Sequence, residues 1–189
     1  MKTYFYNEVY EVSPDVLIPR PDTERVVDKL IELLPFGGTF LDLCTGSGCI
    51  AISTLAARKD CTADAVDISE PALKIARLNA EINNVSERVN FIHADIKTFE
   101  AESYDIVVSN PPYIRSGVIS SLDLSDPLMA LDGGADGMDF YRIILNRYKA
   151  KKYIIFEIGY DQAEQIKELC DCTIYKDYGG NDRVAVITC

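Results

Sequence analysis

The chain has 189 residues, 48% of them hydrophobic, which suits one domain with a single buried core. Its formal net charge of −11, from 30 acidic and 19 basic residues, argues against a protein that grips nucleic acid through phosphates, because such proteins carry a basic face. Six cysteines without a CxxC pair, together with one histidine, argue against a metal site and suit a reducing, cytoplasmic compartment.

The predicted elements begin with a short hairpin or extended arm over residues 4–12. Asp22 is a candidate N-cap for a helix over residues 25–34, whose apolar residues recur every three or four positions. After Pro35 and two glycines, short β-branched runs alternate with helical patterns, which indicates a parallel sheet with crossover helices. The first of these are strand 39–43, helix 50–58, strand 63–67 and a helix from Ser69 to about Asn83.

The alternation continues to a C-terminal hairpin. Its elements are strands 89–93 and 105–109, a long polar segment over 114–136, helix 138–148, strand 153–157, a helix ending near Cys170, and an antiparallel pair, 173–176 and 183–187. Residues 149–152 resemble a solvated helix end, and Asp161 with Glu164 resembles a capping pair. No apolar run approaches the ~20 residues that cross a bilayer, and we expect no signal peptide.

A glycine-rich turn follows the first sheet strand, and its residues 44–48 are called the glycine loop below. Gly46 and Gly48 let the backbone approach a ligand, and the next helix offers free N–H groups at its N-terminus. The pattern also fits a dinucleotide fingerprint, with Asp67 at the spacing of a ribose-binding acid. The loop is therefore compatible with a nicotinamide cofactor, with S-adenosylmethionine, or with a tight turn that binds nothing.

Acids at the ends of three successive strands favour a positively charged cofactor. Asp42 would repel a pyrophosphate and attract a sulfonium or an amino group, and the glycine loop contains no counter-charge. Asp67 can accept two hydrogen bonds from ribose hydroxyls. Asp95 can accept one from an adenine amine while Ile96 packs on the ring, although Asp95 alone is more typical of a turn cap. Together these acids favour S-adenosylmethionine.

The tetrapeptide Asn110-Pro111-Pro112-Tyr113 follows the fourth strand, at the edge where open α/β sheets bind ligands. An amide or aniline-like nitrogen is a poor nucleophile, because its lone pair is delocalised. The Asn110 side-chain carbonyl and the Pro111 backbone carbonyl can hold its two N–H groups and turn the lone pair toward a methyl group. The prolines fix these acceptors and Tyr113 can stack on the planar target. The alternative is a rigid turn, since Asn-Pro often ends a strand.

Six blocks, in order over residues 16–186, resemble the protein-glutamine N5-methyltransferases of the HemK/PrmC type, which modify peptide chain release factors. They are Val-Leu-Ile-Pro-Arg-Pro-Asp-Thr-Glu (16–24), the stretch 42–48, Asn-Pro-Pro-Tyr (110–113), Ala-Leu-Asp-Gly-Gly-Ala-Asp-Gly (130–137), Glu-Ile-Gly (157–159) with Gln162, and Asp-Tyr-Gly-Gly-Asn-Asp-Arg (177–183). Asn-Pro-Pro-Tyr alone is shared with enzymes that methylate amino groups of DNA and RNA. The block that ends at Glu24 is far more specific.

The resemblance implies an α/β fold, a Rossmann-like S-adenosylmethionine-dependent methyltransferase with a mostly parallel seven-stranded sheet and a C-terminal antiparallel hairpin. We expect one catalytic domain over residues 1–189, with an arm or hairpin and a helix in 1–36 and the Rossmann-like core in 37–189. Three features depart from the family. Its helical N-terminal domain is absent from this sequence, which suits part of a longer protein or a short form with weaker or different recognition. Asp126-Pro127 stands for Glu-Pro, and residues 149–152 replace a Gly-Gly turn.

The resemblance also implies a partner and a set of site residues. The partner is a release factor that presents the glutamine of a Gly-Gly-Gln loop, with neither nucleic acid nor membrane bound directly. The implied substrate-binding residues are Arg20, Thr23, Glu24, Asn110, Pro111, Pro112 and Tyr113, and Asn110, Pro111 and Tyr113 among them are catalytic. The first three are equally typical of a helix start. The expected cofactor-binding residues are Asp42, Cys44, Thr45, Gly46, Ser47, Gly48, Asp67, Ile68, Asp95, Ile96 and Asn110.

Three other functions stay open at this point. An N6-adenine or guanine-amine methyltransferase shares the Asn-Pro-Pro-Tyr segment, but the charge of −11 and the block ending at Glu24 argue against it. A cofactor-binding module without turnover would bind S-adenosylmethionine and methylate nothing. A nicotinamide oxidoreductase would bind NADH instead.

Overall fold

The computed structural model describes residues 1–119 and 126–189. Within these residues the strands are β1 (Lys2–Phe5), β2 (Glu8–Glu11), β3 (Thr39–Leu43), β4 (Thr62–Asp67), β5 (Val89–His93), β6 (Tyr104–Ser109), β7 (Ala150–Glu157), β8 (Thr173–Lys176) and β9 (Asp182–Thr188). The helices are α1 (Glu24–Leu33), α2 (Cys49–Ala57), α3 (Glu70–Ile82), α4 (Ser116–Ile119), α5 (Asp139–Arg147) and α6 (Ala163–Leu169). None of these helices is long and apolar enough to span a membrane.

Seven strands form one sheet in the order β5-β4-β3-β6-β7-β9-β8. Strand β9 runs antiparallel to both β7 and β8, and the other neighbours are parallel. The predicted mostly parallel, seven-stranded Rossmann-like sheet with a C-terminal antiparallel hairpin is therefore confirmed. The chain runs outward from β3 to β5 and then returns to place β6 beside β3. This reversal opens a crevice at the carboxyl ends of β3 and β6, the usual ligand position in such sheets.

Helices cover both faces of the sheet, so the central strands are mostly apolar and largely buried. Successive residues of a strand point to opposite faces, and Phe40 and Leu41 of β3 accordingly belong to two different core clusters. The Phe40 cluster includes Leu30 of α1 and residues of α2, whereas the Leu41 cluster includes Tyr141 of α5 and Ile166 of α6. Two packed cores hold the sheet rigid beneath the crevice.

Two predicted helix caps are wrong, because tertiary partners take up the carboxylates. Asp22 lies inside a 3-10 turn, Pro21–Thr23, and its carboxylate pairs with Arg183 at 3.4 Å. Asp161 lies two residues before the start of α6 without capping it, and its carboxylate accepts from Arg115 at 3.4 Å. At the start of α3 the local cap is made, since the Ser69 hydroxyl accepts from the Ala72 N–H at 3.2 Å.

The predicted helix end at residues 149–152 is also wrong. Helix α5 ends at Arg147 and residues 150–152 already belong to β7, which begins three residues earlier than expected. The Lys151 and Lys152 side chains are exposed and the Lys152 carbonyl accepts from the Cys189 N–H at 2.9 Å, so the backbone pairs while the side chains stay in water. The polar segment 114–136 holds α4 and a 3-10 turn, Leu128–Ala130; its residues 120–125 lie outside the described residues.

Candidate active site

A cavity of about 410 Å³ opens at the crevice between β3 and β6, a size that suits a small-molecule ligand. Segments that are distant in the sequence meet there. They are residues 14–20, the glycine loop, the turns after β4 and β5, the start of the segment after β6, and residues 127–130. The carboxyl ends of the four parallel strands β3, β4, β5 and β6 thus line one cavity, where the motifs in the sequence predict a ligand site.

The backbone of the glycine loop is left-handed at three positions. Cys44, Gly46 and Gly48 have φ angles of 60°, 56° and 81°, a region that glycine adopts without steric cost. A Cβ on Gly48 would lie 2.8 Å from the Ile52 side chain and 3.2 Å from Ala76 Cβ, so the helix packing also requires glycine there. A Cβ on Gly46 would meet nothing within 4 Å, because that face borders the cavity. The loop therefore exposes bare backbone to a ligand.

Asp67 and Asp95 bring negative charge to the cavity wall. Oδ2 of Asp67 accepts from the Gly46 N–H at 2.8 Å and Oδ1 accepts from the Ser69 N–H at 2.9 Å. Burial raises the pKa of Asp67, and these N–H groups oppose the rise. Asp95 accepts from the Lys97 N–H at 2.9 Å, so it caps a turn and borders the cavity at once. Two carboxylates over the loop favour a ligand that carries positive charge.

Asp42 supports the glycine loop from behind and does not border the cavity. Its side chain is 0% exposed, and its Oδ2 accepts from the Thr45 hydroxyl at 2.6 Å. Burial raises the pKa of Asp42 to about 7, more than the hydrogen bonds from Thr45 and the Ala51 N–H lower it. The sequence predicts a direct contact between this carboxylate and a cofactor, but in the structure the carboxylate does not reach the cavity. The Asp42 carboxylate faces Thr45 of the loop and not the cavity.

The other expected cofactor residues divide in the same way. Those that border the cavity are Cys44, Thr45, Gly46, Ser47, Asp67, Ile68, Asp95, Ile96 and Asn110. Gly48, like Asp42, stands behind them, at the start of α2. Ile96 is buried, and its backbone carbonyl accepts from the Tyr148 hydroxyl at 2.7 Å, which fixes this apolar wall.

Asn79 of α3 ties the N-terminal hairpin to the glycine loop, a role that the sequence analysis missed. The side chain is fully buried; its Nδ2 donates to the carbonyls of Glu11 and Ser47, both at 3.0 Å. Its Oδ1 accepts from the Glu11 N–H at 2.7 Å. The one signal in the sequence is a polar amide on the apolar face of an amphipathic helix.

Replacement of Asn79 by alanine is expected to lower the free energy of unfolding by about 2–4 kcal/mol. The change leaves the buried Ser47 carbonyl and the partly buried N–H and carbonyl of Glu11 without their partners, and a buried group left so costs about 1–3 kcal/mol. Urea unfolding at pH 7 measures the loss. The control is Asn146→Ala, at an exposed position of α5, where a shift within about 0.5 kcal/mol is expected. Equal stability of the two variants would contradict the role of Asn79 as a clamp.

The Asn-Pro-Pro-Tyr segment forms the corner of the cavity beside the glycine loop. Asn110 and Pro112 border the cavity, whereas Pro111 and Tyr113 do not. Glycines hold the corner from behind: a Cβ on Gly137 would lie 2.4 Å from the Tyr113 carbonyl oxygen. Gln162 Nε2 donates to that same carbonyl at 3.0 Å. The blocks at 130–137 and at Gln162 therefore have a physical role, which is to seat residues 110–113.

The expected substrate residues before α1 are placed differently from one another. Thr23 is buried and borders the cavity, and its hydroxyl oxygen lies 3.5 Å from Asn110 Nδ2 in a long hydrogen bond. Arg20 borders the mouth and pairs with Asp126 at 2.6 Å, so the shorter acid at 126 still reaches across. Glu24 does not border the cavity; its carboxylate accepts from the Tyr6 N–H at 2.9 Å and anchors the hairpin.

Glu157, at the end of β7, is a buried acid behind the corner and is not among the site residues expected from the sequence. It is 2% exposed, and its Oε1 accepts from the Tyr113 hydroxyl at 3.3 Å. Burial raises the pKa of Glu157 to about 7, against hydrogen bonding from Thr23 and Tyr113 and the charge of Arg183. An acid at the end of the apolar run Ile-Ile-Phe is the signal that sequence offers. No group of acidic, cysteine or histidine residues in the described ranges is arranged to hold a metal ion.

Comparison with known proteins identifies the family. The Methyltransferase small domain family model matches residues 23–130. Proteins named release factor glutamine methyltransferase are 34% identical in Thermodesulfovibrio yellowstonii, over 97% of this chain and 72% of the relative, and 37% identical in Clostridium acetobutylicum, over 98% and 72%. The relative of the same name in Bacillus subtilis is 35% identical, over 96% of this chain and 71% of its own length.

Solved structures show the same fold. The catalytic domain of hMettl16, in complex with an RNA hairpin of the MAT2A 3′UTR, matches with a TM-score of 0.74 at 14% identity, over 94% of this chain and 74% of that one. An RNA methyltransferase from Salinibacter ruber in complex with S-adenosyl-L-homocysteine matches with a TM-score of 0.60 at 16% identity, over 92% and 93%. At such identities the likeness concerns the fold. By the identity and coverage of its relatives, this chain belongs to the release factor glutamine methyltransferase family.

Proposed function

We propose that this protein transfers a methyl group from S-adenosylmethionine to the side-chain amide nitrogen of a glutamine in a peptide chain release factor. Family membership supports the reaction. The structural observation that supports this reaction in the present protein is the position of Asn110. It borders the same cavity as the glycine loop and Asp67. In this proposal residues 1–189 act as one catalytic unit. The Gly-Gly-Gln loop of the release factor is the segment that supplies the glutamine.

The cavity suits the cofactor chemically. Gly46 leaves room for a ligand against bare backbone, and no atom within 4 Å would oppose even a Cβ there. Asp67 has both oxygens fixed by N–H groups and retains lone pairs for ribose hydroxyls. Ile96 offers an apolar wall for a purine and Asp95 an acceptor for its amine. Lysine and arginine reach the cavity only as Lys97 and Arg20 among the residues described, so the loop itself suits a cationic sulfonium better than a pyrophosphate.

S-adenosylmethionine supplies, when bound, a methyl carbon on a cationic sulfur. The residues of the chain orient the acceptor nitrogen for in-line attack. Asn110 Oδ1, which borders the cavity, accepts one of its N–H groups, and the two prolines that follow fix this acceptor. The Pro111 carbonyl, expected from the sequence as the second acceptor, belongs to a residue that does not border the cavity. Orientation of this kind contributes roughly 7–11 kcal/mol to a rate enhancement, which suits a cavity that no histidine borders among the described residues. Because the Tyr113 hydroxyl points to Glu157, we assign Tyr113 to supporting the corner in place of stacking on the target.

A labelled-methyl assay tests the proposal. The full chain is incubated with methyl-labelled S-adenosylmethionine and either purified release factors or bare DNA and RNA, and modified peptides are identified by mass spectrometry. Label on the glutamine of Gly-Gly-Gln, with none on nucleic acid, is the expected result. Label on a purine amine alone would overturn the proposal in favour of a nucleic-acid substrate. Cofactor binding with no label in any acceptor would indicate a binding module.

Replacement of Asp67 by alanine is expected to weaken the binding of S-adenosylhomocysteine by roughly 1.5–3 kcal/mol, or about 10- to 150-fold in Kd. The variant loses the ribose acceptors and also the acceptors of the Gly46 and Ser69 N–H groups. Isothermal titration calorimetry measures the affinity. Asp171→Ala, at an exposed position, serves as the control and is expected to bind like the unchanged protein. A Kd within twofold of the control in Asp67→Ala would argue that the ribose lies elsewhere.

A further inference from the structure

The Asn-Pro-Pro-Tyr segment is a stiff connection whose near end is anchored beside the glycine loop. Prolines fix φ at positions 111 and 112, and the residue before each proline is restricted as well. Ser109, directly before the segment, is fully buried, and its hydroxyl donates to the Leu43 carbonyl at 2.6 Å. Leu43 is followed by the glycine loop. A shift of Tyr113, at the far end, therefore meets few soft torsions on its way to Asn110.

Gln162 holds the far end of the segment with its side-chain amide. The side chain is buried, and its Nε2 donates to the Tyr113 carbonyl at 3.0 Å and to the Gly137 carbonyl at 3.3 Å. Its Oε1 accepts from the Gly159 N–H at 2.8 Å and, at the longer distance of 3.4 Å, from the Tyr141 hydroxyl. An amide has two N–H groups and an oxygen with two lone pairs. These contacts match that capacity, so they fix the amide in orientation and position.

Glycines on both sides let this amide approach the segment closely. A Cβ on Gly137 would lie 2.4 Å from the Tyr113 carbonyl oxygen and 2.8 Å from Gln162 Nε2. A Cβ on Gly159 would lie 3.0 Å from Gln162 Oε1. Gln162 does not border the cavity. Its contact with the Tyr113 carbonyl therefore acts on the segment from behind, away from any ligand.

We propose that Gln162 is a positioning residue for methyl transfer, which fixes the Tyr113 carbonyl and, through the stiff segment, holds the Asn110 amide in place beside the glycine loop. The inference rests on the proposed function in one respect, namely that Asn110 Oδ1 accepts from the substrate NH2. A misplacement of about 1 Å, caused by a residue remote from the chemistry, can cost about 10²-fold in rate. Loss of the far anchor therefore lowers kcat, whereas the surfaces that bind the cofactor and the release factor are unchanged.

Gln162→Met tests this role, because methionine is similar in length and supplies no N–H donor. The kcat for release-factor methylation is expected to fall about 10- to 100-fold, with the KM for the release factor and the Kd for S-adenosylhomocysteine within about threefold of the unchanged protein. The matched control is Gln165→Met, at the one other glutamine of the chain. Gln165 Oε1 makes no hydrogen bond with the described residues, so its loss should leave kcat unchanged. A kcat of Gln162→Met within about twofold of the control's would overturn the proposal, as would a loss confined to KM.

Removal of a buried hydrogen bond also lowers stability, and Tyr104→Phe separates that effect from positioning. Tyr104 begins β6, at the opposite end of the strand from Ser109, and its hydroxyl donates to Asp64. Both Tyr104→Phe and Gln162→Met are expected to unfold at a lower urea concentration than the unchanged protein. Only Gln162→Met is expected to lose kcat. An equal fall of kcat in the two variants would make Gln162 a purely structural residue and overturn the proposal.

Gly137→Ala displaces the same carbonyl by a different route, since its Cβ would press on the Tyr113 oxygen. It is expected to lower kcat about 10- to 100-fold. Combined with Gln162→Met, it should lower kcat by less than the product of the two losses, because both changes act on one carbonyl. Gly180→Ala is the control for backbone strain: φ is 86° at Gly180 and 78° at Gly137, but a Cβ on Gly180 would meet nothing within 4 Å. Losses that multiply in the double variant, or an equal loss of kcat in Gly180→Ala, would contradict the proposal.

One readout does not need turnover. In the presence of S-adenosylhomocysteine, the side-chain ¹⁵NH2 signals of Asn110, assigned by their loss in Asn110→Ala, are expected to shift in Gln162→Met and in Gly137→Ala. They are expected to stay in place in Gln165→Met and in Gly180→Ala. Unshifted signals in Gln162→Met would overturn the positioning role. An unchanged enzyme that methylates no release factor would defeat the proposed function, while these signals would still decide the role of Gln162.

Discussion

Asn110→Ala is expected to lower kcat for methyl transfer about 10²–10³-fold, the range observed when a preorganised hydrogen-bonding group is removed from a reaction centre. The variant loses the Oδ1 acceptor that holds one N–H of the target amide, and with it the alignment of the nitrogen lone pair. Loss of alignment affects kcat more than binding, because the rest of the substrate surface is unchanged. Single-turnover kinetics with labelled cofactor, at saturating release factor, measures the step.

The fold of Asn110→Ala should be intact, since the side chain is half-exposed at the cavity and makes one long hydrogen bond to Thr23. Thermal unfolding and affinity for S-adenosylhomocysteine check this. Asn146→Ala again provides the control, as an exposed asparagine far from the corner in sequence. A variant that keeps the full rate with a normal fold would refute the orientation mechanism, whatever its substrate affinity.

Arg183→Met is expected to lower the free energy of unfolding by about 3–5 kcal/mol, the cost of removing one partner of a buried ion pair. Arg183 is buried in β9; its Nε donates to Asp177 at 3.1 Å and its Nη1 to the Ile158 carbonyl at 3.1 Å. Without the guanidinium, the buried Asp177 carboxylate has no compensating cation. Urea unfolding at pH 7 measures the loss. Arg142→Met removes an exposed pair with Asp136 and should cost much less.

The same variant has a predictable pH dependence. Burial alone would raise the pKa of Asp177, but hydrogen bonds from the Asn181 N–H and from Arg183 bring it below its usual value. A depressed carboxyl pKa stabilises the fold above the unfolded value of 3.8, and this stability is lost as the pH falls through the lower folded pKa. The difference in stability between Arg183→Met and the unchanged protein should therefore narrow below about pH 4. A constant difference from pH 7 to pH 3 would show that packing, and not charge, sets the cost.

Local patterns in the sequence predicted most of the sheet. The strand at Thr39–Leu43 is mostly apolar because both of its faces are buried, and such a run can be recognised without knowledge of its neighbours. Asp67, Asp95 and Asn110 could be predicted because each lies at the end of a strand or within two residues after it, and the carboxyl ends of parallel strands meet. They meet at one cavity because β5, β4, β3 and β6 lie side by side in the sheet.

The contacts that the sequence did not predict share one cause: the partner residue is remote in the sequence. Asn79 binds Glu11 and Glu157 binds Tyr113, pairs separated by 68 and 44 residues, and no local pattern encodes such contacts. Asp22 and Asp161 stand at sequence positions typical of a helix cap, but their carboxylates form ion pairs with arginines from other parts of the chain. In both cases an ion pair with a distant residue replaces the local helix cap. The sequence therefore predicted capping for two aspartates that in the structure bind arginine.

The glycines behind the corner determine where this catalyst can be redesigned. At Gly137 even one methyl group would collide with the Tyr113 carbonyl, so the rear wall cannot be reshaped without displacing the reacting geometry. Met129, by contrast, borders the cavity at its mouth and is 62% exposed. Directed evolution toward bulkier or differently charged acceptors should therefore target the mouth of the cavity. Substitutions there can alter substrate selectivity without displacing the reacting groups.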